Sequence, residues 1–201
     1  MKLLPCGDSG LLVEVDGLPE VLALADAVRA APPAGVLDVI SAARTVLLCV
    51  EPGTDLTEVR RAVLDLDVEP GTAPPEGDRV EIEVVYDGPD LAEVGELTGL
   101  GVEGVVAAHT GTPWRSAFGG FAPGFAYLVG GDPRLVVPRR QVSRTSVPPG
   151  SVGLAGEFSG VYPRSSPGGW QLIGHTDAEL WNIDRGALLQ PGCTVVFKAV
   201  S

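Results

Sequence analysis

Lysine is nearly missing from this chain of 201 residues; it stands only at positions 2 and 198. That removes the point charge most often used to hold phosphate, and neither a GxxxxGK[ST] loop nor a GxGxxG turn occurs. Any contact with nucleotide phosphate would fall to arginine, to backbone N–H groups or to a partner subunit. No lysine stands in the context of a biotin carrier. Cysteine is also scarce: Cys6, Cys49 and Cys193 are far apart, with no CxxC or Cys/His spacing. A zinc site and a redox pair are therefore not expected, and three reduced thiols fit a reducing, cytoplasmic compartment. Basic residues are too few, 14 against 26 acidic for a net charge of −12, to give the positive footprint that nucleic acids or anionic membranes require. No window reaches the roughly 18 apolar residues of a membrane span. The opening MKLLPCGDSG has no sustained apolar run, so no signal peptide is expected.

What is present is concentrated in residues 112–174. These 63 positions hold 12 Gly and 8 Pro, yet also 8 of the chain's 11 aromatic residues. Disordered segments lack aromatics because they cannot bury enough apolar surface to offset chain entropy. Glycine and proline among aromatics instead imply tight turns around a packed core. Charge singles out the same stretch. Residues 1–111 carry 6 basic and 21 acidic side chains (−15), residues 112–174 carry 6 Arg and 2 acids (+4), and residues 175–201 carry 2 basic and 3 acidic (−1). An arginine island in an acidic protein suits an anionic ligand, because the guanidinium fork matches carboxylate and phosphate oxygens.

Periodicity gives a coarse layout. LLVEV (11–15) reads as a strand, 19–31 as a helix with Val21, Leu22, Leu24, Ala25 and Val28 in a stripe, and 36–40 and 45–50 as strands. Thr54 or Asp55 caps a helix over 55–66. This β-α-β-β-α pattern predicts a small α+β domain over 1–70. EPGTAPPEGD (69–78) reads as a linker, assigned to 71–78, and residues 79–201 form a second domain. There, VEIEVVY (80–86) alternates as a strand. Short helices follow near 89–98 and 102–109, broken by Gly99 and Gly101. Beyond 112 the short runs WRSAF, AYLV, LVV, SVGLA and WQLIG, closed by TVVFKAV (194–200), predict a barrel or sandwich.

His109 and His175 are the two imidazoles. His109, at a helix end, either satisfies orphan carbonyls or serves in acid–base chemistry. His175 reads as structural or solvent-facing. Arg139, Arg140 and Arg144 fall within six residues between Pro138 and Pro148-Pro149. Such runs are ordinarily solvated, but flanking prolines pre-order this one, so its arginines are candidates for holding an anion. Ser143, Thr145 and Ser146 are interleaved donors with no GxSxG elbow or paired base to make any of them a nucleophile. In SPGGWQLIGHT (166–176), Trp170, Leu172 and Gly174 fall on one strand face, and Gln171 and Ile173 on the other. Gly168 and Gly169 permit either a ligand's close approach or a tight hairpin. Gln171 is suited to bond an amide or carbonyl.

GGFAPGFAYLVGGDPRLVVPRRQVSRTSVPPGSVGLAG, followed by SGVYPRSSPGGWQLIGHT, resembles the signature of the allophanate hydrolase subunit 1 family. The family is also described as carboxyltransferase-domain subdomain C and D, and includes the B subunit of 5-oxoprolinase and the kinase inhibitor KipI. CGDSGLL (6–12) and the run 86–125 match as well, so the resemblance spans nearly the whole chain. It implies an α+β architecture, a small N-terminal α/β domain followed by a C-terminal cyclophilin-like β-barrel. It implies a hetero-oligomer with a subunit 2 partner (subdomains A and B) and, in 5-oxoprolinase, a third, sugar-lactam-like subunit that together open 5-oxoproline to glutamate with ATP. The implied alternatives are an allophanate or urea-carboxylase-type carboxyltransferase half that uses biotin, and a KipI-like protein that binds a histidine kinase. By matching motif, Phe121, Pro123, Gly124, Phe125, Tyr127, Gly168, Gly169, Trp170 and Gln171 are expected to line a small-amide pocket. Arg139, Arg140 and Arg144 are expected as anion contacts, with Arg140→Ala folded but inactive. Relatives often read GFLPGFPYL where this chain has GFAPGFAYL, so Ala122 and Ala126 are expected either to widen the pocket slightly or to leave a gap that another chain fills.

Overall fold

A computed structural model of the protein describes residues 1–68 and 78–201. The expected linker, apart from Asp78, lies outside the described residues. The chain divides into two compact units, Met1–Glu76 and Gly77–Ser201.

The first unit runs β1 (Lys2–Pro5), β2 (Gly10–Glu14), α1 (Leu18–Ala30), β3 (Val36–Ser41), β4 (Thr45–Val50) and α2 (Leu56–Leu64). Its strands form one antiparallel sheet in the order β1-β2-β4-β3. The sequence reading missed β1, four residues ending in proline; too short to show alternation, it sits at a sheet edge where proline is tolerated. Helix α1 buries Val21, Leu24, Ala25 and Val28, the stripe expected from a 3.6-residue period. Helix α2 is capped by Asp55, whose carboxylate accepts the Thr57 N–H at 2.8 Å.

The second unit runs β5 (Arg79–Val85), α3 (Leu91–Thr98), α4 (Gly101–Gly111), β6 (Trp114–Gly119), β7 (Ala126–Val129), a 3₁₀ turn (Pro133–Leu135), β8 (Arg144–Val147), β9 (Ser151–Ala155), β10 (Phe158–Val161), β11 (Ser166–Gly168), β12 (Gln171–His175), β13 (Trp181–Asn182), β14 (Gly186–Ala187) and β15 (Thr194–Val200). Gly99, at φ 70°, makes the left-handed turn that ends α3. Seven strands close a barrel in the order β10-β7-β6-β15-β5-β12-β9, and β5 and β15 run parallel over seven residue pairs. The fold is α+β with a β-barrel. One expected strand is absent: within LVV (135–137), Leu135 ends the 3₁₀ turn and Val137 makes a single bridge to Gly156. Pro133 and Pro138 flank this run too closely for a ladder.

Alternation along the strands separates two apolar clusters. Ile82, Val84, Leu128, Leu154, Ile173 and Phe197 belong to the main core. Phe125, Val147, Ala155, Tyr162, Trp170 and Leu172 form a second cluster, with Tyr127 and Phe158 partly buried against it. As expected, Leu172 and Ile173 divide between the clusters.

Candidate functional site

The second cluster forms the wall of a cavity of about 300 Å³. Phe121, Phe125, Tyr127, Tyr162 and Trp170 line it with Pro167, Gly168, Gly169, Ser143 and Arg139. The rings meet mostly edge to face: Phe125 lies 5.4 Å from Trp170 and 5.6 Å from Tyr162, centroid to centroid. Such pairs each add about 0.5–1.5 kcal/mol beyond area burial, so the wall is stiff. Glycines back these rings. Gly160 and Gly153 face each other across β10 and β9, and a Cβ on Gly160 would stand 2.9 Å from Phe125 Cζ and 3.1 Å from Trp170 Cζ3. Close approach also explains the PGGW turn, where a Cβ on Gly168 would collide with the Tyr162 hydroxyl and one on Gly169 would lie 2.8 Å from Ser143 Oγ. Phe121 sits at the mouth, 56% exposed, with φ 66°. It is the single non-glycine residue at positive φ among the described residues. Burial pushes the Tyr162 hydroxyl's pKa up, opposed by a hydrogen bond from the Trp170 backbone N–H and by the nearby Arg139 charge.

The three clustered arginines have different surroundings. Arg139 is exposed, lines the cavity and has no carboxylate partner among the described residues. Arg140 and Arg144 instead converge on Asp90. Arg140 Nη1 is 2.6 Å and Arg144 Nη2 is 2.7 Å from Asp90 Oδ1, while Oδ2 accepts the Leu172 N–H at 2.7 Å. The Asp90 side chain is 3% exposed, so Arg140 and Arg144 neutralise a buried charge and are not among the lining residues. Asp90 is the residue before α3, where an aspartate ordinarily caps its own helix, but its side chain makes no cap bond. Nothing in the sequence marks a partner 50 or 54 positions away.

The other expected site residues are dispersed. His109 is wholly buried in the core, bonded to Tyr86 and Ser159, with its ring 4.2 Å from Phe197. Burial pushes its pKa down to about 3, so the ring is neutral. Gln171 is 2% exposed, and its Nε2 reaches Pro138 O at 3.4 Å. Pro123 and Gly124 shape the turn before β7 without lining the cavity. Gly124 has φ 85°, and a Cβ there would stand 2.6 Å from Trp181 Cβ, so only glycine fits. Ala126 lies in the main core and Ala122 packs on the aromatic cluster; neither lines the cavity, so the expected widening does not occur at its wall. Tyr162, Ser143 and Pro167 were not foreseen. Tyr162 was legible only as one aromatic among eight. A second cavity, of about 390 Å³, lies along β5 and β15, where Lys198 is paired with Glu81 and His175 Nδ1 lies 2.8 Å from Asp87 Oδ1. Among the described residues there is no His/Cys/Asp/Glu cluster fit for a metal ion, and no helix is long and apolar enough to cross a membrane.

Residues 1–189 match the family described as carboxyltransferase domain, subdomain C and D. The chain belongs to that family. It is 47% identical over 128 residues to the B subunit of 5-oxoprolinase from Escherichia coli O157:H7, covering 61% of this chain and 59% of that protein. It is 45% identical over 127 residues to the B subunit of 5-oxoprolinase from Bacillus subtilis (strain 168), covering 61% and 53%. The match thus spans less than two thirds of each relative. The crystal structure of TTHA0988 superposes with a TM-score of 0.78 at 34% identity, covering 96% of this chain but 40% of that one. Kluyveromyces lactis urea carboxylase, at 16% identity and a TM-score of 0.68, shares the fold over 99% of this chain and 22% of its own.

Proposed function

We propose that this chain is the B-type component of an ATP-dependent 5-oxoprolinase, inactive alone. It acts with a subunit 2-type partner carrying subdomains A and B and with a third, sugar-lactam-like subunit. One water adds across the ring amide of 5-oxoproline to give glutamate, and a second is consumed as ATP is converted to ADP and phosphate. The observation that carries this reading is the aromatic cavity with Arg139 at its edge, on a chain similar to two proteins named as the B subunit of 5-oxoprolinase. An apolar wall with one cation suits a small ring bearing one carboxylate. The cavity supplies walls and charge but no paired nucleophile and base, which is the character of half a site. With no phosphate loop and one lining arginine, the nucleotide falls to another subunit. Fixed donors facing a dry pocket would stabilise the anionic intermediates of amide opening.

Reconstitution tests the reading. This chain, its subunit 2-type partner and the third subunit are assayed for 5-oxoproline-dependent ADP release, each omitted in turn. Loss of turnover on omitting this chain supports it. A well-formed complex that is silent with 5-oxoproline but active with urea and a biotinylated partner replaces it with a carboxyltransferase. Failure to form any complex, with tight binding to a sensor histidine kinase, replaces it with a kinase inhibitor.

A further inference from the structure

Arg139 is held on both sides while its own guanidinium has no carboxylate partner among the described residues. The carbonyl of Pro138, just before it, accepts from Gln171 Nε2. The N–H of Arg140, just after it, donates to Gly169 O at 2.8 Å. Arg140 then reaches Asp90, and Arg144, five residues on from Arg139, reaches the same Asp90 oxygen. Asp90 is itself fastened to Leu172 twice: its N–H donates to Leu172 O at 3.0 Å, and its Oδ2 accepts the Leu172 N–H. Segment 138–144 is therefore clasped to residues 169–172, the same residues that present Gly169 and Trp170 to the cavity. The four polar side chains of the clasp, Gln171, Asp90, Arg140 and Arg144, are all hydrogen-bonded, and Arg139 lines the cavity.

We infer that Arg139 is the residue by which the cavity selects a carboxylate, and that Asp90 is a positioning residue that aims it by clasping Arg140 and Arg144. The ligand class is a small, flat ring bearing one carboxylate, with the ring against Phe125, Tyr127 and Trp170 and the carboxylate on Arg139. The proposal deepens the function proposed above and rests on the same cavity, but it concerns recognition, not turnover. An arginine whose loop is fixed before binding loses little conformational entropy on meeting its anion.

The test is a titration of the full chain with pyrrole-2-carboxylate and with its uncharged analogue pyrrole-2-carboxamide, followed by NMR shifts of the Trp170 and Tyr162 signals. The acid is expected to bind roughly tenfold or more tighter than the amide, the effect of one charge-assisted hydrogen-bonded contact. Arg139→Gln brings the two affinities together. Asp90→Asn also lowers the acid-to-amide ratio, a readout that a purely structural residue would leave unchanged in the folded fraction. Should Asp90→Asn fail to fold, Arg144→Gln removes one arm of the clasp and is expected to lower the same ratio. Absence of saturable acid binding, equal affinity for acid and amide, or an unchanged ratio in Arg139→Gln overturns Arg139's role. An unchanged ratio in folded Asp90→Asn, or in Arg144→Gln where that is the variant used, overturns the positioning role. If the ratio behaves as expected while the reconstituted complex shows no turnover of 5-oxoproline, the oxoprolinase reading fails and carboxylate recognition stands.

Discussion

The Tyr86 hydroxyl lies 2.7 Å from Nδ1 of His109, and Nε2 of the same ring lies 2.8 Å from the Ser159 hydroxyl. A neutral imidazole offers one donor and one acceptor, so one of the two hydroxyls donates to the ring and the other accepts from it. Burial pushes the folded pKa down to about 3, against about 6.5 for a free histidine. The unfolded chain therefore takes up the proton first. The stability contribution is fully present above about pH 6.5 and is lost as pH falls toward 3, at up to about 1.4 kcal/mol per pH unit. Urea unfolding of the protein and of His109→Gln, compared at about pH 7 and about pH 5, should show their stability difference shrinking on acidification. A constant difference would mean that His109 is charged, or free to become so, in the folded state.

Neighbouring arginines should behave in opposite ways. Arg139→Ala removes an exposed side chain with no carboxylate partner among the described residues and should change stability by no more than about 0.5 kcal/mol. Arg140→Ala takes one of three donors from the buried Asp90 carboxylate and should cost about 1–3 kcal/mol. Chemical denaturation of the two variants side by side checks this. Equal stabilities would show that Arg144 and the Leu172 N–H satisfy Asp90 by themselves.

Phe121 combines an exposed ring with a left-handed backbone. Its ring touches Phe125 and Tyr162, with centroids 5.3 and 6.0 Å away. Phe121→Ala and Phe121→Gly both remove these contacts, but only glycine also relieves the φ of 66°. The glycine variant should therefore be the more stable of the two by about 1 kcal/mol. Thermal melts decide it; an alanine variant of equal or greater stability would show that the loop relaxes out of the left-handed region.

Gly160→Ala inserts a methyl group beneath the Phe125 and Trp170 rings. The wall has no slack there, so the expected cost is about 1–3 kcal/mol, accompanied by a shift in Trp170 fluorescence. An unchanged melt and spectrum would show that the rings move aside freely and that the wall is soft.

The fold was legible where periodicity is long and unbroken. Helix α1, the alternation of β5 and the final strand were read within a residue or two. The opposite faces of Leu172 and Ile173 were legible from alternation, but not that each face meets its own apolar cluster. The site was legible as a region but not as an arrangement. Arg139, Arg140 and Arg144 are chemically alike in sequence, and they differ only in having Asp90 within reach. That acid lies in a helix-start context, where a capping role is the natural reading. Phe121, Phe125, Tyr127, Gly168, Gly169 and Trp170 do meet around one cavity. His109 does not, because a histidine on the last turn of a helix carries no sign of the direction its ring takes.

The parallel pairing of β5 with β15 sets an order of events during synthesis. Glu81 and Lys198, paired in the finished barrel, are 117 residues apart in the chain. At ribosomal speeds β5 emerges on the order of ten seconds before the strand that will lie beside it. Until β12 emerges it has no barrel neighbour at all, and until β15 emerges one of its edges stays open to any other nascent strand. Its charged residues at Arg79, Glu81 and Glu83, all exposed in the native barrel, discourage such mispairing. These charges therefore protect the half-made molecule as well as solvating the finished one.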